Sequence, residues 1–406
     1  MSSYRYLSHY LQTHPQDLAK MVLVAGPRQV GKTTLVKRLP KLLGYRHSCY
    51  LNWDIPEDRK ILKSPDLHFF RELAANQSTP TLILLDEIHK NPRWKKFLKG
   101  LYDALHEQLH IVVTGSARLD TYRRGGDSLM GRYWLFHLFP LTIAEVNKNS
   151  QFKLPNPINH QVKKENYQVY HQLFQQGGFP EPLFKLNATQ HARWSHLRKE
   201  TLVKEDLRDL SRIQELEGIH TLMELLPNKV GSPLSLQSLL EDLEISHPTL
   251  KNWLRWLRHL YYYFSIPVYS KKLIRSLKKE QKIYLYDWAN INDPGVRFEN
   301  LVALHLYKAV TVYREMLGAP LELYYLRDKE KREVDFLVLK AKTPWLMIES
   351  KLNNESNPKQ LKYYSERLKP EHAILLYHQS TKPEWKYYHN MKYWQTDAAT
   401  FFAQWL

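Results

Sequence analysis

Residues 26–33 read Gly26-Pro27-Arg28-Gln29-Val30-Gly31-Lys32-Thr33, with Thr34 next. All four fixed positions of G-x-x-x-x-G-K-[ST] are met. An apolar run, Met21-Val-Leu-Val-Ala25, comes before, and a helix-compatible stretch, residues 34–39, comes after. Strand, glycine loop and helix in that order is the context in which this pattern binds phosphate. The glycines let backbone N–H groups curl around an anion, and a helix N-terminus favours the same charge. Residues 26–34 are therefore expected to cradle ATP, with Lys32 reaching the β- and γ-phosphates and Thr33 holding Mg²⁺.

Working outward, Thr81-Leu-Ile-Leu-Leu-Asp86-Glu87-Ile88 reads as a strand covered on both faces and ending in two acids. Asp86 is expected in the Mg²⁺ shell. Glu87, one position beyond, is expected to polarise the water that attacks the γ-phosphate. A third run, His110-Ile-Val-Val-Thr114-Gly-Ser116, ends in small polar residues, so Thr114 or Ser116 could sense the γ-phosphate. Ser48-Cys-Tyr-Leu51 reads as a further strand ending at Asn52 and Asp54, and residues 139–145 as the last strand and a turn. Alternating strands and helices over residues 1–150 imply an α/β domain with a parallel sheet.

The chain has 406 residues, enough for two to four domains, and 43% are apolar, so real cores can form. A single cysteine, Cys49, excludes a disulfide framework and a cysteine zinc site and suits a reducing compartment. The first residues lack the apolar stretch of a signal peptide, and no apolar run reaches the ~18–20 residues that span a bilayer. A cytoplasmic protein without a membrane partner is the expectation. The net charge of +18 is uneven: +9 over residues 1–150, +1 over 151–225, +6 over the sixty positions 226–285 and +2 over 286–406. Basicity concentrated in this way is the footprint of a polyanion-binding surface, which makes DNA the expected partner.

Residues 152–160 read as a proline-containing connector, and residues 160–225 as a helical lid broken at Gly177-Gly-Phe-Pro180-Glu-Pro182. Residues 226–287 have the pattern of a winged helix. An amphipathic helix spans 235–243. A second starts at 247, with Ser246 or His247 as N-cap and Pro248 in its first turn, and buries Leu250, Leu254 and Leu257. A hairpin follows, with Lys271, Lys272, Arg275, Lys278 and Lys279 at its tip.

Residues 288–406 hold a second chemical pattern. Arg332-Glu-Val-Asp335 places Asp335 in a strand, and the next strand carries Glu349-Ser-Lys351. Period-two geometry puts Glu349 and Lys351 on one face. Asp335 and Glu349 could chelate a divalent ion while Lys351 orients or deprotonates water. Glu299, in the first turn of a helix beginning near Gly295, offers a third carboxylate, and Gln360 and Tyr364 share a helix face.

Taken in order, these motifs resemble the AAA-like, STAND-related P-loop ATPases of prokaryotes that end in a domain of restriction-endonuclease-like fold. The residues that carry the resemblance are 26–35, 84–88, 114–116, Gly131-Arg132, 177–183, 332–336 and 348–351. The resemblance implies that Pro180 packs on adenine and that Arg132 contacts the γ-phosphate in cis or in trans, the latter in a homo-oligomer. It also implies that Asp335, Glu349, Lys351 and Gln360 form a nuclease site taking a second Mg²⁺ or Mn²⁺. Glu299 stands where such nucleases carry a histidine ligand. The function expected is ATP hydrolysis coupled to DNA. Two alternatives are an ATP-driven switch whose C-terminal domain does not cleave, and a protein-remodelling ATPase.

Overall fold

The apolar runs become strands, the three central ones buried on both faces, as strands between two helical layers must be. In the computed structural model, described over residues 5–64, 66–75, 77–115, 129–149, 151–158, 163–207, 216–270, 281–353 and 357–405, they are β1 (Met21–Ala25), β2 (Ser48–Asn52), β3 (Thr81–Asp86), β4 (Leu109–Thr114) and β5 (Tyr133–His137). They form one sheet in the order β2-β3-β4-β1-β5, and every pair is parallel. Two consequences matter for the site. All five C-terminal ends lie along one edge, and β3, β4 and β1 are direct neighbours there. The loops leaving those three strands therefore meet.

The last strand differs from expectation. It is β5, one turn earlier in the chain, and residues 143–146 form a short helix, Ile143–Val146. Pro140 has no N–H to give a ladder, which breaks the run after Phe139. Upstream, Tyr-Trp-Leu-Phe-His supplies the aromatic and apolar side chains that a strand favours. The chain also divides there, into Met1–Phe139 and Pro140–Leu406.

The second unit holds a six-stranded sheet in the order β12-β13-β11-β10-β9-β8. Its strands are β8 (Leu321–Arg327), β9 (Glu333–Lys340), β10 (Thr343–Lys351), β11 (His372–Tyr377), β12 (Glu384–Tyr388) and β13 (Met391–Asp397). β8, β9 and β10 are an antiparallel meander, and β10 pairs β11 in parallel. The long helix Pro294–Leu317 is capped by Asp293, which accepts from the Val296 N–H, and ends at Gly318 with φ 62°. The helix Lys359–Leu368 packs Leu361 and Tyr364 against Leu337, Met347 and Leu375.

Ahead of these elements, β6 (Tyr263–Ile266) and β7 (Lys282–Leu285) form a two-stranded antiparallel sheet. Helices Leu236–Leu243 and His247–His259 precede it, N-capped by Ser235 and Ser246. Leu250, Leu254 and Leu257 are buried, as their spacing predicts. The hairpin tip, with Lys271, Lys272, Arg275, Lys278 and Lys279, lies outside the described residues. Among the described residues no helix is long and apolar enough to cross a membrane.

Candidate nucleotide site and C-terminal ion cluster

The loop after β1 owes its curl to three residues in left-handed or related conformations: Gly26 (φ 142°), Gln29 (φ 63°) and Gly31 (φ 98°). At Gly26 the requirement is absolute, because a Cβ there would lie 2.2 Å from the carbonyl oxygen of Leu138. Successive N–H groups turned inward by such angles make an anion-binding concavity. The buried Arg5 guanidinium braces the loop from behind, donating to the Val30 carbonyl at 3.2 Å and to that of Phe139. Lys32 is only 7% exposed, and its ammonium donates to the carbonyls of Gly26 (2.9 Å) and Pro27 (2.8 Å), which keep it inside the curl.

Asp86 ends β3 beside this loop and is 1% exposed. Its Oδ2 accepts from the Thr33 hydroxyl at 2.7 Å and from the Tyr50 hydroxyl at 2.7 Å, and its Oδ1 accepts from the Thr114 hydroxyl at the end of β4. A carboxylate adjoining a loop hydroxyl is a hard-oxygen donor set, which is the chemistry Mg²⁺ selects. Thr33 and Asp86 thus fit the ion that the loop implies.

Glu87 follows in the left-handed region at φ 57°, unusual for a residue with a side chain. Its carboxylate lies in the neighbourhood of Lys32 and Lys90. Burial pushes its pKa up, while the charges of Lys32 and Lys90 oppose the rise. Lys90 Nζ lies 3.7 Å from Glu87 Oε2 and bonds both oxygens of Asp54 at 2.8 and 2.6 Å. Asn52 holds the other side, donating to the Tyr50 hydroxyl at 3.3 Å.

The remaining expectations fare differently. Thr114 reaches Asp86; Ser116 lies outside the described residues. Arg132 clasps Asp103, with Nε to Oδ1 at 2.6 Å and Nη2 to Oδ2 at 3.1 Å. It immediately precedes β5, whose first residue Tyr133 pairs with Met21 at the start of β1. The phosphate loop leaves the other end of β1, about 13 Å away at the rise of a strand. The contact in cis is therefore corrected: sheet polarity puts Arg132 at the wrong edge for its own loop. Pro180 opens the helix Pro180–Lys185 in the second unit.

In the C-terminal sheet, Phe336 pairs with Ile348 across β9 and β10, and one further step in that register sets Asp335 opposite Glu349. Asp335 Oδ2 accepts from the backbone N–H and hydroxyl of Ser350, at 2.8 and 2.6 Å. Lys351 Nζ lies 2.8 Å from Glu349 Oε1. Burial would lower the Lys351 pKa, but Glu349, Asp335 and Glu299 together hold it up. Glu349 is 3% exposed, and burial raises its pKa. Its Oε2 makes no well-formed hydrogen bond, although the Leu361 N–H, in the first turn of Lys359–Leu368, favours the charged form. Tyr364 donates to the Arg332 carbonyl at 2.9 Å, a structural tie, and Gln360 is half-buried.

Glu299 is engaged by groups that lie outside the motif. Its Oε1 accepts from Lys282 Nζ at 2.9 Å and from the Tyr284 hydroxyl at 2.7 Å, both from β7. Lys282 Nζ also lies 2.5 Å from Glu333 Oε1, and Arg327 pairs with the other Glu333 oxygen at 2.5 Å. Burial, followed by the charge of Asp335, pushes Glu299 up to about 7 against the pull of Lys282. Among the described residues no three His, Cys, Asp or Glu side chains are grouped to hold a metal ion. The second metal expected here does not fit the side chains as they are placed.

Tyr50, Lys282, Tyr284 and Glu333 were not singled out from the sequence. Tyr50 had a signal, since it lies two residues before Asn52 and so on the same strand face. Lys282 and Tyr284 share that period on β7, but nothing in their spacing announces a partner in a helix beginning at Pro294.

Residues 18–147 match the family model of an AAA domain, and the five-stranded parallel sheet fits a P-loop NTPase fold. Residues 167–292 match a domain of unknown function (DUF8612), and residues 294–396 another (DUF4143). An uncharacterized protein of Mycobacterium tuberculosis is 23% identical over 334 residues, covering 80% of this chain and 69% of that protein. One from Methanocaldococcus jannaschii is 25% identical over 409 residues, covering 89% and 81%. Among solved structures, the Aeropyrum pernix ORC1 protein in complex with DNA aligns with 74% of this chain and 92% of that one, at 13% identity and a TM-score of 0.33. Residues 18–147 of this chain are thus similar to an AAA domain.

Proposed function

We propose that the protein hydrolyses ATP with Mg²⁺ and couples the cycle to duplex DNA. The observation that carries the first half is the convergence of Lys32, Thr33, Asp86, Thr114 and Glu87 at one edge of the sheet. In this reading the N–H groups of residues 26–34 bind the phosphates, and Lys32 exchanges its loop carbonyls for β- and γ-phosphate oxygens. Thr33 and Asp86 would hold Mg²⁺, which would offset the charge of the phosphates. Glu87 accepts the proton of the attacking water, and burial keeps its carboxylate more basic than a solvated one. Thr114 and Tyr50 fix the Asp86 carboxylate, and Arg132 serves a neighbouring copy's nucleotide in a homo-oligomer.

The DNA half is supported by the exposed face of helix His247–His259. Lys251, Arg255 and Arg258 are exposed at i, i+4 and i+7, while Leu250, Leu254 and Leu257 are buried. None of the three cations is ion-paired among the described residues. A basic second helix beside a two-stranded sheet favours reading residues 226–287 as a winged helix laid on the phosphate backbone. Residues 1–150 then carry the ATP chemistry, 160–225 a helical segment of the second unit, and 288–406 a restriction-endonuclease-like fold that holds DNA without cutting it.

The test is ATP turnover with and without duplex DNA. Lys32→Ala should abolish nucleotide binding. Glu87→Gln should bind ATP and lose turnover about 10²–10⁴-fold. Reversing Lys251, Arg255 and Arg258 to Glu should remove DNA stimulation and flatten the log–log salt slope of DNA binding by about 0.9 for each phosphate no longer neutralised. Parental turnover in Glu87→Gln would sink the base assignment, and an unchanged salt slope would sink the DNA face.

A further inference from the structure

We propose that the buried ammonium of Lys282 stands in the place of a divalent cation in the C-terminal cluster, so that the site is neutralised from within the chain and takes no metal. Four carboxylates lie within electrostatic reach of Lys282 or of one another there: Glu299, Glu333, Asp335 and Glu349. A cluster of that kind, left alone in a protein interior, would bind a hard cation or take up protons. Here the cations come from side chains. Lys282 Nζ, with its side chain 1% exposed, spans Glu299 Oε1 at 2.9 Å and Glu333 Oε1 at 2.5 Å. Arg327 closes the second Glu333 oxygen and Lys351 the Glu349 Oε1. Asp335 Oδ2 is taken by Ser350. Three cations against four anions leave one surplus negative charge, too little to attract an ion with two.

Gly231, with φ 74°, comes so near that a Cβ would lie 3.2 Å from Glu299 Oε2. The Gly231 N–H bonds the Ile283 carbonyl, one residue after Lys282. Both groups belong to the segment matched by one family model, while Glu299, Glu333, Asp335 and Glu349 belong to the next. The ammonium is thus lent by one segment to the other, and it fastens the two-stranded sheet to the helix Pro294–Leu317 and to β9. That arrangement supplies orientation between elements and no Lewis acid.

The experiment is Mn²⁺ binding to the nucleotide-free full chain, followed by electron paramagnetic resonance and by thermal unfolding. The parent and Asp335→Asn should bind the same amount of Mn²⁺ and show the same melting temperature with and without it. Lys282→Met should gain one Mn²⁺ site and melt about 5 °C or more higher at a hundredfold excess over its Kd. If Lys282→Met does not fold alone, refolding in Mn²⁺ should recover it. A site in the parent that is lost in Asp335→Asn overturns the proposal. So does a folded Lys282→Met that takes up no Mn²⁺, or one that Mn²⁺ fails to recover.

Discussion

Lys308 and Glu145 are the sharpest test of how the second unit is put together. Both side chains are 0% exposed, and Lys308 Nζ bonds Glu145 Oε2 and, at 2.9 Å, the Pro140 carbonyl. The pair ties residues 140–146, the first of the second unit, to the middle of the long helix. Lys308→Met keeps most of the stem's volume, so no large cavity term arises. What it removes is the counter-charge of a fully buried carboxylate, and breaking such a pair costs about 3–5 kcal/mol. Against a total stability of about 5–15 kcal/mol, that is a large share. It should lower the melting temperature of this unit by about 10 °C. The double variant Lys308→Met with Glu145→Leu removes both charges, and its loss should be about 2 kcal/mol or less, because the desolvation of the ions is then no longer required. Calorimetry on the parent, both single variants and the double variant gives the coupling directly. A single-variant loss under about 1 kcal/mol, or a double variant as unstable as the single, would refute the reasoning.

Two further outcomes follow from local geometry. Gly26→Ala should weaken ATP binding at least about tenfold and cost about 2–4 kcal/mol, because its Cβ would meet backbone and not a movable side chain. Gly44→Ala, at φ 74° with nothing within 4 Å, is the control and should cost only about 1 kcal/mol and leave nucleotide affinity alone. Equal ATP titrations for Gly26→Ala and the parent would show that the loop does not need this curl. Glu299, raised from 4.5 to about 7 in the folded chain, gives a pH dependence. Its contribution is fully present below about 4.5 and is lost as pH rises through 7, a fall of about 3 kcal/mol. Glu299→Gln should flatten that fall in urea unfolding between pH 5 and 8, and parallel profiles for the two proteins would remove Glu299 as its source.

The strands and the phosphate loop were legible because each is a local pattern. Continuous apolar runs bounded by turn residues specify buried parallel strands, and the glycines at 26 and 31 specify the curl between the first of them and the helix Lys32–Val36. The order β2-β3-β4-β1-β5 then brings Asp86 and Thr114 to the loop without further information, since neighbouring parallel strands must end together. The last strand was misplaced because residues 138–141 are as apolar as residues 133–137. What separates the two runs is Pro140, a backbone property that hydrophobic pattern does not report. The edge on which Arg132 falls was equally hidden, because a Gly-Arg pair carries no sign of whether it starts or ends a strand.

The C-terminal cluster shows the other limit. Asp335, Glu349 and Lys351 are adjacent in register, so period-two reasoning could bring them together from two short stretches. Their electrical state is set by Lys282, 53 positions before Asp335 and on a different sheet, and by Glu333, which looks from the sequence like a strand's first exposed acid. A motif names the groups that could bind a cation; whether they do depends on what other charge the fold delivers to the same few ångströms. At ε near 20, an ammonium 2.5–2.9 Å from two carboxylates is worth several kcal/mol of attraction to each. A divalent ion entering beside it would meet one surplus negative charge and a positive neighbour, and would have to shed water for fewer open oxygens than it prefers. The same four carboxylates therefore support opposite chemistries according to one lysine, and that lysine, more than the E-x-K spacing, is the residue whose replacement decides between them.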